Sequence, residues 1–204
     1  MDENDQLEPR TIIKKPPPKI ADPACLGLIG LAIAALVLAF TDLGFASSKM
    51  ESLMIPWTLF LGATAQLVAG IMDFKRDNIF GATAFTTYSM LWYSVSLTLF
   101  ITIFTSIDFD LTHYAHGLLG FLIFSIILTG ASLMTNKTLL GVLISIDVAI
   151  LALVSHILVG TGAVPVGVSL LFVSIFSFYG AAGVLINNMA EKEILPLGEP
   201  LWEP

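Results

Sequence analysis

The stretch TLLGVLISIDVAILALVSHILVG, residues 138–160, is an apolar run with a carboxylate, Asp147, near its middle. An α-helix needs about 20 such residues to cross the hydrocarbon core of a bilayer. A membrane-spanning β-strand would instead alternate apolar and polar side chains over about 10 positions. The run therefore predicts a transmembrane helix, and Asp147 lies about 15 Å from Lys137 along it, close to the bilayer midplane.

The rest of the chain repeats this pattern. Of its 204 residues, 56% are hydrophobic and 12% are charged, whereas soluble domains carry about 25% charged residues. Further apolar stretches cover residues 24–44, 53–72, 80–105, 113–134 and 164–187. The sequence thus predicts an all-α membrane protein, a six-transmembrane-helix bundle formed by residues 23–188.

The flanking segments predict the orientation. Residues 1–22 are polar and contain Pro16–Pro18, so we expect a disordered N-terminal tail, and residues 189–204 are expected to form a C-terminal tail. Basic side chains concentrate on the cytoplasmic side of membrane proteins. One side of the predicted bundle carries Arg10, Lys14, Lys15, Lys19, Lys75, Arg76, Lys137 and Lys192, and the other carries Lys49. Both termini are therefore predicted to be cytoplasmic, with the bundle in the cell membrane.

The third span separates aromatic from hydroxyl side chains. In DNIFGATAFTTYSMLWYS, residues 77–94, helical periodicity of about 100° per residue divides the side chains between two opposite faces. One is an aromatic stripe of Gly81, Phe85, Tyr88 and Trp92, and the other carries Thr83, Thr87 and Ser94. Hydroxyls in membrane helices either bond to backbone or neighbouring helices, or line a solute path. A buried phenol such as Tyr88 needs a partner and can narrow a passage.

Two other polar side chains within the spans have alternative interpretations. Gln66 lies between Gly62 and Gly70 on a face of small residues, and it either bonds to another helix or lines a solute path. Asp147 is either a structural hydrogen-bond acceptor or part of a proton pathway.

An enzyme is not predicted. Ser132 and His156 are the residue types of a serine hydrolase, but helical rise separates them by roughly 25 to 30 Å, whereas a nucleophile and its base must approach to about 3 Å. The sequence has no phosphate-binding loop, metal-ligand cluster or dinucleotide fingerprint. We therefore predict no catalytic residue, no cofactor, no metal and no nucleic-acid partner.

Three segments resemble the acetate uptake transporter family, also called the succinate-acetate permease family. DPACLGLIG, residues 22–30, is similar to the family's N-P-A-P-L-G-L signature, with Asp22 and Cys25 as departures. GATAQLVAGIMDFKRDNIFGATAFTTYSMLW, residues 62–92, resembles its A-Q-x-x-A-G, E-Y-K-x-G-N-T-F-G and T-A-F-x-S-Y-G-x-F-W segments. ILPLGE, residues 194–199, resembles its cytoplasmic ending.

The resemblance implies a six-helix subunit that assembles as a hexamer and carries acetate or related small monocarboxylates, in some members succinate. By position it implies a constriction at Leu31, Tyr88 and Ile146, and a substrate path past Gln66 and Asn78. We place Thr83 and Thr87 beside that path and treat Asp147 as a candidate proton site. Transport of ammonia or ammonium, and a membrane scaffold without transport activity, are the alternatives.

Overall fold

The computed structural model describes residues 20–45, 52–107 and 110–203. Over these ranges, six helices are long and apolar enough to cross a membrane. They are α1 (Ala24–Asp42), α2 (Met54–Phe74), α3 (Ile79–Phe104), α4 (Thr112–Ser132), α5 (Lys137–Val159) and α6 (Val164–Ala190). The predicted six-helix bundle is confirmed, with every predicted boundary within three residues of the observed one. Most of the predicted N-terminal tail, residues 1–19, and Lys49 lie outside the described ranges.

The helices form a ring with one loose seam. In space, α3 packs on α2, α2 on α1, α1 on α6, α6 on α5 and α5 on α4. The ring would close between α4 and α3, but the backbones of these two helices make few contacts. Side chains close this seam instead, and the aromatic stripe of α3 lies on the inner surface of the ring.

The junction of α1 and α2 is unusually close. Residues Thr58–Ala65 of α2 form a π-helix, in which the Thr64 hydroxyl donates to the Leu59 carbonyl at 2.9 Å. A Cβ atom at Gly30 of α1 would collide with the Leu61 carbonyl oxygen of this segment. Glycine therefore permits the two backbones to touch, as small residues commonly do in membrane bundles.

An ion-pair cluster fixes the turn between α2 and α3. Arg76 lies 2.8 Å from Asp22, just before α1, and 3.5 Å from the buried Asp73 at the end of α2. The hydrogen bond to Asp22 raises the pKa of the Arg76 guanidinium. The cluster thus ties the beginning of α1 to the turn that leads into α3.

The C-terminal residues pack against the bundle where a tail was predicted. The Leu197 carbonyl accepts hydrogen bonds from the Thr138 backbone N–H at 3.0 Å and from its hydroxyl at 2.9 Å. The Leu201 N–H donates to the Leu133 carbonyl at 2.9 Å, and the Tyr179 hydroxyl donates to the Pro196 carbonyl at 2.7 Å. The segment 191–203 therefore lies across the beginning of α5.

Candidate permeation path

Two cavities lie inside the ring, one toward each end of the bundle. The tail-side cavity, of about 90 Å³, is next to the C-terminal segment and the beginnings of α3 and α5. The loop-side cavity, of about 340 Å³, is next to the end of α1 and the beginning of α2. The residues that line both cavities are Leu31, Tyr88 and Ile146. A narrow wall of these three side chains therefore separates the two cavities.

The wall consists of the residues predicted to form the constriction. Leu31 on α1, Tyr88 on α3 and Ile146 on α5 are 5%, 4% and 6% exposed. The Tyr88 ring packs against Phe121 and Phe124 of α4, with ring centroids 5.3 Å and 6.0 Å away. Tyr88 thus belongs to the wall between the cavities and also closes the seam between α3 and α4.

A chain of hydrogen bonds leads from this wall to Asp147. The Tyr88 hydroxyl lies 2.7 Å from the Ser125 hydroxyl of α4, and Ser125 donates to Asp147 Oδ1. The Thr129 hydroxyl donates to Asp147 Oδ2 at 2.7 Å. Asp147 itself lines neither cavity. Asp147 is thus connected to the wall through Ser125. The sequence analysis did not identify Ser125 or Thr129, although their i, i+4 spacing places both hydroxyls on one face of α4.

Gln66 offers both a donor and an acceptor to the tail-side cavity. Its side chain is fully buried and lines the cavity wall. Within the described part of the chain, neither Nε2 nor Oε1 has a hydrogen-bond partner. Leaving a buried polar group unpaired costs about 1–3 kcal/mol, so this amide presents an unused donor and an unused acceptor at the cavity wall.

Two helix beginnings border the same cavity. Asn78 caps α3, with its Oδ1 accepting from the Gly81 N–H at 3.2 Å. Asn136 caps α5, with its Oδ1 accepting from the Leu139 N–H at 2.9 Å. The positive ends of two helix dipoles therefore lie at the tail-side cavity, where they favour negative charge.

Thr83 and Thr87 lie elsewhere. They are partly exposed on the opposite face of α3 from the aromatic stripe and line neither cavity. The neighbouring Thr86 hydroxyl bonds back to the Ala82 carbonyl of its own helix, as membrane hydroxyls often do. The cavity linings give no support for the substrate-path role predicted for Thr83 and Thr87.

The chain matches the GPR1/FUN34/yaaH family over residues 4–195. It belongs to this family. The Succinate-acetate/proton symporter SatP of Escherichia coli (strain K12) is 27% identical over 184 residues, which cover 89% of this chain and 97% of SatP. Acetate permease A of Emericella nidulans is 26% identical over 204 residues, which cover 91% of this chain and 68% of the permease.

A solved structure shares the fold. The bacterial acetate channel SatP superposes with a TM-score of 0.81 at 25% identity, over 88% of this chain and 100% of the SatP chain. The family resemblance seen in the sequence is thereby confirmed. The protein is a multi-pass membrane protein, and the named relatives are transport proteins rather than enzymes.

Proposed function

We propose that this protein moves acetate and related small monocarboxylates across the cell membrane along a path inside each chain. The path runs from one cavity to the other and narrows at Leu31, Tyr88 and Ile146. The observation that carries the proposal is that these three side chains line both cavities. The transport activities that the names of the relatives state support acetate as the solute.

The tail-side cavity is the proposed binding site. Its volume of about 90 Å³ is several times the ~10–15 Å³ that a cavity needs to hold one water molecule, which leaves room for a two-carbon acid. Gln66 would supply the donor, and the helix beginnings capped by Asn78 and Asn136 would favour the carboxyl group. The opposite wall is apolar, with Leu28, Val142 and Leu143 available to the methyl group.

Orientation and assembly are part of the same proposal. Lys75, Arg76, Lys137 and Lys192 flank the tail-side end, so we place this end and both termini in the cytoplasm. We also propose a homo-oligomer, a hexamer by family resemblance. α4 is held mainly by α5, and among the described residues a side chain at Gly117, Gly120 or Gly130 of α4 would meet no atom of another helix within 4 Å. This open face leaves room for a neighbouring subunit.

Uptake into proteoliposomes tests the proposal. We expect radiolabelled acetate to enter liposomes that contain the protein faster than empty liposomes at neutral pH, and excess unlabelled propionate to reduce the rate. Acetate uptake no faster than that of empty liposomes would contradict the proposal. In that case, accelerated ammonia entry would indicate the ammonia alternative, and no accelerated entry of either solute would indicate a scaffold.

A further inference from the structure

The hydrogen-bond chain between Tyr88 and Asp147 has a direction. Asp147 is only half-buried, and we take it as the carboxylate, which accepts hydrogen bonds and has no proton to donate. Both Asp147 oxygens act as acceptors, Oδ1 from Ser125 and Oδ2 from Thr129. Because Ser125 has one O–H group and gives it to Asp147, the 2.7 Å contact between Ser125 and Tyr88 must use the phenol proton.

This direction determines what the wall between the cavities presents to a solute. With its proton given to Ser125, the Tyr88 hydroxyl can offer only oxygen lone pairs to the path. Leu31 and Ile146, the other two members of the wall, have no polar side-chain atom. A solute in the constriction therefore meets a hydrogen-bond acceptor and no side-chain donor.

The anion and the undissociated form of a carboxylic acid differ in the hydrogen bonds that they can make with such a wall. A carboxylate anion is acceptor-only, so it would lose its hydration without receiving any donor in return. Burying an unpaired charge in apolar surroundings is strongly unfavourable. The undissociated acid has one O–H group, which the Tyr88 oxygen can accept.

We propose that Asp147 is a positioning residue that acts through Ser125 to hold Tyr88 as an acceptor, and so restricts the constriction to the protonated form of the solute. This inference rests on the proposed transport of small monocarboxylates and specifies the form that crosses. The acid carries its own proton through the wall and releases it to water on the far side. Asp147 acts by keeping its two accepted hydrogen bonds, from Ser125 and Thr129.

The charged and titratable groups that could act on Asp147 come from its own helix and from the helices packed around it. Its helix α5 packs against α4 and α6. On α5, Asp147 is ten positions from Lys137 and nine positions from His156. These spacings correspond to about 13–15 Å along the helix. The other titratable side chains on these helices and on α3 are His113, Tyr114, His116, Tyr179, Tyr88 and Tyr93.

Most of those groups are remote from the carboxylate or engaged elsewhere. His116, the nearest of the α4 group to Ser125 in sequence, is nine residues away, about 13 Å along the helix. Tyr179 donates to the Pro196 carbonyl, and Tyr93 bonds to Thr64. Tyr88 is therefore the titratable group that the Asp147 chain reaches.

The decisive variant is Ser125→Ala, with Ser145→Ala as its matched control. Ser125→Ala breaks the chain and frees the Tyr88 O–H to donate to an anion. Ser145 is also a buried serine, two positions from Asp147, but within the described ranges its hydroxyl bonds only to the Gly141 carbonyl of its own helix. The measurement is the initial rate of acetate uptake into proteoliposomes across a pH series, with and without an imposed membrane potential, after subtraction of empty-liposome uptake.

For the parent and Ser145→Ala, we expect uptake at fixed total acetate to fall about tenfold per pH unit on the alkaline side, and to be insensitive to the potential. For Ser125→Ala, we expect uptake at alkaline pH to rise about tenfold or more relative to the parent, as one hydrogen bond to a charged group would produce. Its uptake should also respond to the potential. Asp147→Asn should shift in the same direction to a smaller extent, because an amide can donate as well as accept.

The possible failures are distinguishable. If Ser125→Ala and Asp147→Asn take up acetate with the same pH profile and voltage response as the parent, this inference is overturned and the proposed function stays intact. Absence of protein-dependent acetate uptake at every pH would overturn both. Ultraviolet resonance Raman difference spectra between the parent and Tyr88→Phe give a readout that does not depend on transport. We expect the spectrum of a phenol that donates a hydrogen bond. The spectrum of a phenol that only accepts one would overturn the inference.

Discussion

The two cavities differ in more than size. The tail-side cavity is about 90 Å³ and contains the fully buried, unpartnered Gln66 together with two capped helix beginnings. The loop-side cavity is about 340 Å³, and apolar side chains of α1, α3, α4, α5 and α6 make up most of its wall. The buried amide and the two helix beginnings thus lie on one side of the wall formed by Leu31, Tyr88 and Ile146. The polar side chains on the loop side are of other kinds and include Thr41, Asp42, Thr98, Thr102, Tyr114 and His156. We therefore expect the tail side to select the solute and the wider loop side to let it exchange with water.

The largest gain of acetate uptake at neutral pH should come from removing the wall between these unequal cavities. Tyr88→Ala deletes the ring that separates them, and it leaves Gln66 in place. We expect acetate uptake to rise on the order of tenfold, equivalent to a barrier lower by about 1.4 kcal/mol, and larger carboxylates to begin to enter. Uptake of acetate and of a four-carbon dicarboxylate into proteoliposomes measures both changes. Unchanged rates for both would show that Tyr88 does not control the passage.

The next prediction tests the chemical difference between the cavities. Gln66→Leu removes the unpartnered amide from the tail-side wall, so acetate affinity should fall about tenfold for the loss of a hydrogen bond to a charged or acidic group. The same change should stabilise the fold by about 1–3 kcal/mol, since the unpaired polar group is gone. Half-saturating acetate concentration and thermal unfolding in detergent are the two measurements.

Ser177→Ala is the matched control for Gln66→Leu. Ser177 is also buried without a hydrogen-bond partner among the described residues, but it lines neither cavity. It should gain stability with no change in acetate affinity. A loss of affinity in Ser177→Ala equal to that in Gln66→Leu would mean that the tail-side amide has no special role.

A substitution on the loop side should do much less. Thr102 lines the loop-side cavity near the end of α3, and its hydroxyl already bonds to the Thr98 carbonyl at 2.9 Å. We expect Thr102→Val to leave acetate uptake within about twofold of the parent, a difference below ~0.5 kcal/mol. A loss as large as that of Gln66→Leu would place solute selection on both sides of the wall.

The smallest effect concerns the turn that presents Asn78 to the tail-side cavity. Asp77 has a φ of 57°, in the left-handed region that costs a residue with a Cβ about 1–2 kcal/mol and costs glycine little. Asp77→Gly should therefore stabilise the protein by up to about 1 kcal/mol and leave uptake unchanged. Thermal unfolding of the two proteins in the same detergent measures the difference. A destabilised Asp77→Gly would show that the aspartate side chain supports the turn.

The sequence predicted the fold well because membrane helices are defined by length and hydropathy. It also separated the two faces of α3, and the structure places the aromatic stripe with Phe85, Tyr88 and Trp92 in the interior. The family resemblance supplied Leu31 and Ile146, and the structure places both beside Tyr88. Helical periodicity alone predicts which residues share a face of a helix. It does not predict which residues of the other helices they contact.

Predictions were weaker where they depended on contacts between distant parts of the chain. The depth of Asp147 followed from counting residues, but its bonds to Ser125 and Thr129 depend on how α5 is rotated against α4. Thr83 and Thr87 were associated with the path because they are polar, whereas the interior face of α3 is the aromatic one. The attachment of Leu197 to Thr138, across 59 residues of sequence, has no periodic signal.

The most direct test of the central claim is acetate uptake by Leu31→Trp. Leu31 belongs to the wall between the cavities and takes part in none of the hydrogen bonds described above. The larger indole side chain should therefore fill the constriction and leave Gln66, Asn78 and the Ser125 chain in place. Uptake should fall to the level of empty liposomes while the variant remains folded in detergent. Uptake at the parent rate by a folded Leu31→Trp protein would contradict a path through Leu31, Tyr88 and Ile146.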